Sequence, residues 1–166
     1  MTVIVLDMQS VLYARLLERA MLQELDNHQI IISKTPNLTK DICEIHKPRV
    51  VIMEVTGYSP WMLNDRLELS NKIRKNNPEL PIIIASMPWH DKNNCNWAKE
   101  RRDVIIDTYN KAVDAGDKNV YFVDGMKYYE SYGMSNCTID GCHPNDLGFW
   151  AMANEFIKVI EKARIF

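Results

Sequence analysis

The chain has 166 residues, of which 46% are hydrophobic and 25% are charged, a composition typical of one compact globular domain. Its 20 basic and 22 acidic residues are mixed along the chain and give a formal net charge of −2, which disfavours binding to nucleic acid or to an anionic membrane. The N-terminal segment "MTVIVLDMQS" has no basic flank and its apolar run ends at Asp7, so we expect neither a signal peptide nor a membrane span, and a cytoplasmic protein. The four cysteines form no CxxC pair, so their spacing predicts no zinc site and no disulfide framework, and no cofactor is expected.

Short apolar runs alternate along the chain with longer segments of helical period. In chain order, the predicted strands cover residues 2–7, 29–33, 49–55, 80–86 and 119–124. The predicted helices cover residues 10–26, 37–47, 61–77, 98–116 and 145–163. Gly116 is placed to cap the fourth helix, and Arg101 and Arg102 within that helix are expected to lie on a solvent-exposed face.

The predicted strands are apolar throughout, which is typical of parallel strands in a sheet that helices cover on both faces. We therefore predict an α/β protein, a flavodoxin-like doubly wound three-layer sandwich with a five-stranded parallel sheet of order 2-1-3-4-5. Because no linker, repeat or low-complexity tract interrupts the pattern, residues 1–166 are expected to form a single domain. In such sheets, ligands bind beyond the carboxyl ends of the strands.

The segments at the first, third and fourth predicted strands carry one family resemblance. They read "VIVLDMQSVLYARLLERAM", "KPRVVIMEVTGYSP" and "PIIIAS", and on them about residues 1–86 resemble a response-regulator receiver domain. The resemblance implies that Asp7 stands at a magnesium-binding acid, Glu54 at the phosphorylated aspartate and Ser86 at the hydroxyl that ends strand 4. Since Glu54 replaces the aspartate and Leu6 replaces the other acid, it implies the receiver fold without phosphorylation, and no metal site is predicted.

The segments around the fifth predicted strand and the last helix carry a second resemblance. They read "RRDVIIDTYNKAVDAGDKNVYFVDG" and "DGCHPNDLGFWAMANEF". The second segment is similar to Asp-x-x-His-Pro-Asn-x-x-Gly, the last block of the SGNH (GDSL-type) hydrolases, so about residues 80–166 resemble the C-terminal part of that family. The resemblance implies that His143 is the general base that deprotonates a nucleophilic serine and that Asp140 orients its imidazole.

The turn after the first strand departs from the hydrolase pattern. That family has its nucleophile in a Gly-Asp-Ser-Leu-like turn, whereas this chain reads "LDMQS", with Asp7 at the family's aspartate and Met8 where the serine is expected. The glycine after strand 2 and the Gly-x-Asn-Asp turn after strand 3, which supply oxyanion donors in the family, are missing too. Ser10 is the only hydroxyl within a few residues of the strand end, and it also fits the N-cap of the next helix.

Two hypotheses for the function remain open. In the first, a receiver-like half (residues 1–86) is joined to an SGNH-like half (residues 87–166) in a natural or engineered chimera. That chimera has no efficient activity, because the nucleophilic serine and the phosphoacceptor aspartate are both missing. In the alternative, the chain is a divergent SGNH/GDSL-type serine ester hydrolase that uses Asp140, His143 and Ser10. A small ester is the only partner implied, and no oligomeric state is predicted.

Overall fold

The computed structural model describes residues 2–6, 29–33, 50–55, 71, 73–88 and 96–165. For the first three of these ranges it describes the backbone, together with the buried side chains of Val51 and Ile52. The helices predicted over residues 10–26 and 37–47, and most of the one predicted over 61–77, lie outside the described residues.

Five parallel strands form one sheet. They are β1 (Thr2–Leu6), β2 (Gln29–Ser33), β3 (Val50–Val55), β4 (Ile82–Ser86) and β5 (Val120–Val123). Their order is β2-β1-β3-β4-β5, and the register is marked by pairs such as Val5 with Ile32 and Ile84 with Phe122. The strands are rich in valine and isoleucine, whose branched side chains suit a buried pleated surface.

Helices follow β4 and β5 in the described part of the chain. They are α1 (Asn96–Asp114), a 3-10 helix (Gly125–Lys127), α2 (Met134–Cys137) and α3 (Asp146–Lys162). The predictions of helices over residues 98–116 and 145–163 are confirmed to within two residues at each end, and so is the α/β class. The complete doubly wound sandwich stays a prediction, since the helices expected between the first strands lie outside the described residues. Of the helices that the structure describes, none combines the length and the apolarity needed to cross a lipid bilayer.

Each face of the sheet packs against its own apolar layer. Ile83 and Ala85 of β4 belong to the layer that α3 covers, whereas Ile82 and Ile84 belong to the layer that α1 covers. Side chains alternate between the two faces of a strand, and every residue of β4 is buried. The segment "IIIAS" is therefore apolar throughout because neither face of this strand meets water.

The C-terminus of α1 is closed at Gly116, as predicted. Gly116 has a φ of +88°, and its N–H donates to the carbonyl of Val113 at 2.9 Å. The next N–H, that of Asp117, donates to the carbonyl of Ala112 at 3.0 Å. These two bonds form a Schellman motif, which requires a left-handed residue and therefore favours glycine at this position.

Candidate active site

The two ends of α3 lie at opposite edges of the sheet. Residues 163–165, just after the helix, line a cleft of about 560 Å³ together with Pro81 and Asn119, which precede β4 and β5. The C-terminal end of α3 is therefore at the amino edge of the sheet. A helix of 17 residues is about 25 Å long, and α3 packs on the sheet from Phe149 to Ile160. Its first turn and the loop before it consequently lie at the carboxyl edge, where open α/β sheets bind ligands.

The loop before α3 is a closed turn that presents Asp140 and His143. Thr138 and Pro144 form an antiparallel bridge, and the N–H of Ile139 donates to the carbonyl of His143 at 2.9 Å. Gly141 has a φ of +77°, a conformation that a residue with a Cβ rarely adopts. Backbone hydrogen bonds thus close the turn around residues 139–143.

Asp140 uses both carboxylate oxygens within this turn. Its Oδ1 accepts the backbone N–H of His143 at 2.7 Å and that of Cys142 at 2.9 Å. Its Oδ2 lies 2.8 Å from Nδ1 of the His143 ring. The hydrogen bonds from the backbone and from the ring of His143 hold the pKa of Asp140 well below its usual range, so the carboxylate stays ionised. An ionised carboxylate at Nδ1 favours the tautomer with a proton on that nitrogen and leaves Nε2 to accept one.

Both side chains of the pair are open to solvent. The His143 side chain is 75% exposed and that of Asp140 is 47% exposed. A general base has to reach the proton that it removes, and a ring held at Nδ1 with its other nitrogen accessible meets this requirement.

Asn145 and Gly148 attach the turn to α3 and α2. Asn145 is the N-cap of α3, where its Oδ1 accepts the N–H of Gly148 at 3.0 Å, while its Nδ2 donates to the carbonyl of Asn136 at 2.7 Å. A Cβ on Gly148 would lie 2.1 Å from the carbonyl oxygen of Cys137, so α3 can approach α2 this closely only with glycine there. The Pro-Asn-x-x-Gly part of the sequence block therefore positions the loop that carries His143.

An ion pair joins the end of β5 to α1. Asp124 N-caps the 3-10 helix and forms a two-pronged ion pair with Arg102 of α1, with N–O distances of 2.8 and 2.6 Å. The Arg102 side chain is only 25% exposed, so the expectation that it lies on a solvent-exposed face was wrong. The pair has no local sequence signal, because its two residues are 22 positions apart.

A family model for the "GDSL-like Lipase/Acylhydrolase family" matches residues 14–161. The chain belongs to this family. Among curated proteins, no sequence matches this GDSL-family chain.

Solved structures of similar fold cover nearly all of the GDSL-family chain. A protein described as a GDSL-like lipase from Bacteroides ovatus is 21% identical, with a TM-score of 0.73 over 97% of this chain and 52% of that one. A salicylyl-acyltransferase from a tetracycline biosynthetic pathway is 18% identical, with a TM-score of 0.70 over 99% of this chain and 55% of that one. The Clostridium thermocellum family 3 carbohydrate esterase is 19% identical, with a TM-score of 0.67 over 98% and 97%. The chain thus spans about half the length of the first two proteins and nearly the whole of the third, and these likenesses show the fold.

The interpretation of the chain as a receiver–hydrolase chimera is not supported. One GDSL family model runs from residue 14 to residue 161 and so crosses the boundary proposed between the two halves, at residues 86 and 87. The three structures likewise match at least 97% of the GDSL-family chain. Receivers and SGNH hydrolases share a parallel sheet of this strand order, with polar residues at the carboxyl edge. Apolar strands that end in acids therefore cannot tell the two families apart.

The residues that the receiver resemblance singled out do not form a described site. Ser86 is fully buried, and its Oγ accepts the N–H of Gly125 at 2.8 Å, which ties the end of β4 to the turn after β5. Its hydroxyl therefore joins two buried segments of this chain. Glu54 lies in β3 opposite Ala85 of β4, but its side chain is outside the described residues, as are Asp7 and Ser10.

Proposed function

We propose that the chain is a serine ester hydrolase of the GDSL family in which Asp140 and His143 form the acid–base pair. The observation that carries the proposal is the contact of 2.8 Å between Asp140 Oδ2 and His143 Nδ1 in an exposed turn at the carboxyl edge of the sheet. This is the arrangement that a catalytic triad requires of its acid and its base.

The pair has the properties that ester hydrolysis needs. Asp140 is ionised and holds one ring nitrogen, so Nε2 of His143 is the atom that takes the proton of the attacking hydroxyl and later passes it to the departing alcohol. The same carboxylate stabilises the imidazolium that forms between these two steps. The function therefore depends on the pair acting as a unit.

Ser10 is the proposed nucleophile. It is the only hydroxyl within a few residues of the end of β1, and β1 lies between β2 and β3 in the sheet. The carboxyl edge of a parallel sheet collects the residues that follow its strands, and the turn with His143 lies at this edge as well. Met8 stands where the family pattern has its serine, so the proposal places the nucleophile two residues further along the chain.

The proposed substrate is a small ester. The family model names lipases and acylhydrolases, and the solved structures of similar fold include a carbohydrate esterase and an acyltransferase. All of these names describe chemistry at an acyl group, and acyl transfer is what a Ser-His-Asp arrangement performs.

Hydrolysis of p-nitrophenyl acetate tests the role of the base. We expect His143→Ala to lower kcat/KM by about a hundredfold or more, because general-base assistance contributes about 10²–10⁴. Ser10→Ala should lower kcat/KM as well, because it removes the proposed nucleophile, and Ser131→Ala, which removes an exposed hydroxyl elsewhere in the chain, is its matched control. Equal rates for the wild type and His143→Ala would remove the hydrolase proposal and favour a protein without efficient catalysis.

A fluorophosphonate probe identifies the nucleophile directly. Such probes form a covalent bond with an activated serine, and mass spectrometry of the labelled peptide locates it. We expect the label on Ser10 in the wild type, and none in His143→Ala because the serine is then no longer activated. A label on a different serine would keep the reaction class and reject Ser10.

A further inference from the structure

Cys142 lies between Asp140 and His143 in the sequence, and its thiol is close to both side chains. A carboxylate oxygen of Asp140, the sulfur of Cys142 and a ring nitrogen of His143 all lie within 4.8 Å of one another. Tetrahedral zinc sites have bonds of about 2.0–2.3 Å, which puts neighbouring ligand atoms roughly 3.3–3.8 Å apart. Because the separations in this chain are at most 4.8 Å, side-chain rotations that move the ligand atoms by about 1 Å would bring them to the spacing of a zinc site.

We propose that Asp140, Cys142 and His143 bind Zn²⁺, or a metal ion of similar softness, and that the bound ion prevents His143 from acting as a general base. Metal binding stands on the three ligands alone, whereas the inhibitory effect rests on the proposed hydrolase function.

The chemistry of the three ligands favours zinc over magnesium or calcium. Zinc is bound by thiolate, imidazole and carboxylate groups, and three protein ligands with water in the fourth position are a common arrangement. Magnesium and calcium prefer sets of oxygen ligands. Binding would release the proton of the Cys142 thiol to the solvent. The resulting thiolate and the ionised carboxylate of Asp140 would balance the double positive charge of the ion.

The turn already holds the three ligands in place. Oδ1 of Asp140 accepts the backbone N–H groups of both Cys142 and His143, so the backbone from which the ligands project is fixed before any ion arrives. A site that is preformed in this way avoids much of the ordering cost of binding. Asp140 and His143 are exposed by 47% and 75%, which lets an ion reach them from solution.

Zinc bound to either ring nitrogen of His143 would prevent that residue from acting as a general base. An ion on Nε2 occupies the lone pair that takes the proton of the nucleophile. An ion on Nδ1 displaces the 2.8 Å contact with Asp140 and forces the proton to the other nitrogen, which is the wrong tautomer for catalysis. Zinc therefore blocks the base in both cases.

Direct binding of the metal is the first test. Zn²⁺ is titrated into the full chain in competition with a chromophoric chelator, in a buffer with a reductant that carries no thiol. We expect Cys142→Ser and Asp140→Asn to weaken zinc binding by at least about tenfold, since even the loss of groups that only orient the ligands costs about 10–100-fold. Asp146→Asn removes an exposed acid in the first turn of α3 and is the matched control with wild-type affinity.

Cobalt supplies a second readout that reports the thiol itself. We expect Co²⁺ to produce the near-ultraviolet charge-transfer absorption of a cobalt–thiolate bond in the wild type and not in Cys142→Ser. Circular dichroism establishes that each variant is folded, and Cys142→Ala provides a second variant without the thiol. Equal zinc affinity in the wild type and in folded Cys142→Ser would overturn the proposed site.

Inhibition separates the metal site from the proposed function. Each variant is compared with its own rate in the absence of zinc, and the zinc concentration for half-inhibition should rise at least about tenfold in Cys142→Ser. If zinc binds through Cys142 and the chain hydrolyses no ester, the metal site stands and the hydrolase function fails. If His143-dependent hydrolysis is present and zinc inhibits the wild type and Cys142→Ser equally, the function stands and the inhibitory site is rejected.

Discussion

Asp140 holds His143 at two points, the backbone and the ring. Its Oδ1 accepts the backbone N–H of His143 at 2.7 Å, and its Oδ2 lies 2.8 Å from Nδ1 of the same residue. A single carboxylate therefore fixes both the backbone at His143 and the orientation of its imidazole. The spacing of three residues makes this possible, because the turn between them is closed by its own backbone bonds.

The amide variant Asp140→Asn should separate charge from shape. An asparagine keeps an oxygen for the backbone bonds, but it can present an N–H to Nδ1 and so favour the wrong tautomer of His143. We expect kcat to fall by about 10⁴-fold, the size of effect that the corresponding change has in a catalytic triad. Steady-state hydrolysis of p-nitrophenyl acetate measures this, with Asp146→Asn as the control. A rate close to that of the wild type would show that Asp140 does not orient a catalytic base.

The packing of α3 on α2 predicts the stability of two further variants. Asn145→Ala removes the N-cap of α3 and should lower the free energy of unfolding by about 1 kcal/mol. Gly148→Ala should cost about 1–3 kcal/mol, because the new Cβ would lie 2.1 Å from a backbone oxygen. Asn154→Ala makes the same substitution as Asn145→Ala in the middle of α3, and it should stay within about 0.5 kcal/mol of the wild type. Urea denaturation gives all three values, and a loss at Asn145 no larger than at Asn154 would contradict the role of the cap.

The contacts that the sequence predicts are the local ones. The pair of Asp140 and His143 follows from a spacing of three residues, and the Gly116 cap follows from the position of a glycine after a periodic segment. Both interactions close within one turn of chain, so the sequence pattern contains all the residues involved. Strand β4 could equally be predicted from the sequence, because burial on both faces leaves an unbroken apolar run.

Long-range contacts carry no comparable signal. Arg102 and Asp124 are 22 residues apart, and Ser86 and Gly125 are 39 residues apart, so their pairing depends on how α1, β4 and β5 meet in space. The receiver resemblance of the front part failed for a related reason. Families with the same strand order share apolar strands and acids at strand ends, and the chemistry of a site is not encoded in that common pattern. The grouping of Asp140, Cys142 and His143 was not predicted, because a single cysteine forms no recognisable cysteine pair.

At the C-terminal cap of α3, a glycine should give a more stable protein than the residue now present. Arg164 adopts a φ of +51°, and the N–H groups of Arg164 and Ile165 close a Schellman motif on the carbonyls of Glu161 and Ile160. Arg164→Gly should raise the free energy of unfolding by about 0.5–1 kcal/mol, because a left-handed conformation costs about 1–2 kcal/mol for a residue with a Cβ. Gly116→Ala is the reverse change at the same position of α1, where a Cβ would meet no atom within 4 Å, so its loss of stability measures the conformational cost alone. Chemical denaturation should give opposite signs, and equal signs would contradict this explanation.

The ion pair of Arg102 and Asp124 predicts a dependence of stability on pH. The hydrogen bonds from Arg102 lower the pKa of Asp124 from its ordinary value of 3.8. A carboxyl whose pKa is lower in the folded state stabilises the protein above the ordinary value, and this contribution is lost as the pH falls through the folded-state value. Asp124→Asn should therefore cost about 2 kcal/mol at neutral pH, as expected for hydrogen bonds to a charged group, and the difference from the wild type should shrink below about pH 4.

A matched variant on α1 isolates the effect of burial on that prediction. Asp103 forms an exposed pair with Lys99, with side chains 49% and 69% exposed. Asp103→Asn should cost no more than about 0.5 kcal/mol, because solvent screens such a pair. Thermal denaturation across the acidic range compares the two variants, and a constant difference between Asp124→Asn and the wild type at every pH would contradict the assigned ionisation.

Ser86 distinguishes a structural hydroxyl from a ligand-binding one. Its Oγ accepts the N–H of Gly125 in a fully buried position, and a Cβ on Gly125 would lie 1.9 Å from the carbonyl oxygen of Met87. Removal of the hydroxyl leaves this buried N–H without its acceptor, so Ser86→Ala should cost about 1–3 kcal/mol, the penalty of a buried unsatisfied donor. Ser131→Ala, at an exposed position, should change stability by less than about 0.5 kcal/mol. Ester hydrolysis per folded molecule should be unchanged in Ser86→Ala, whereas a loss of activity without a loss of stability would place this hydroxyl in the active site.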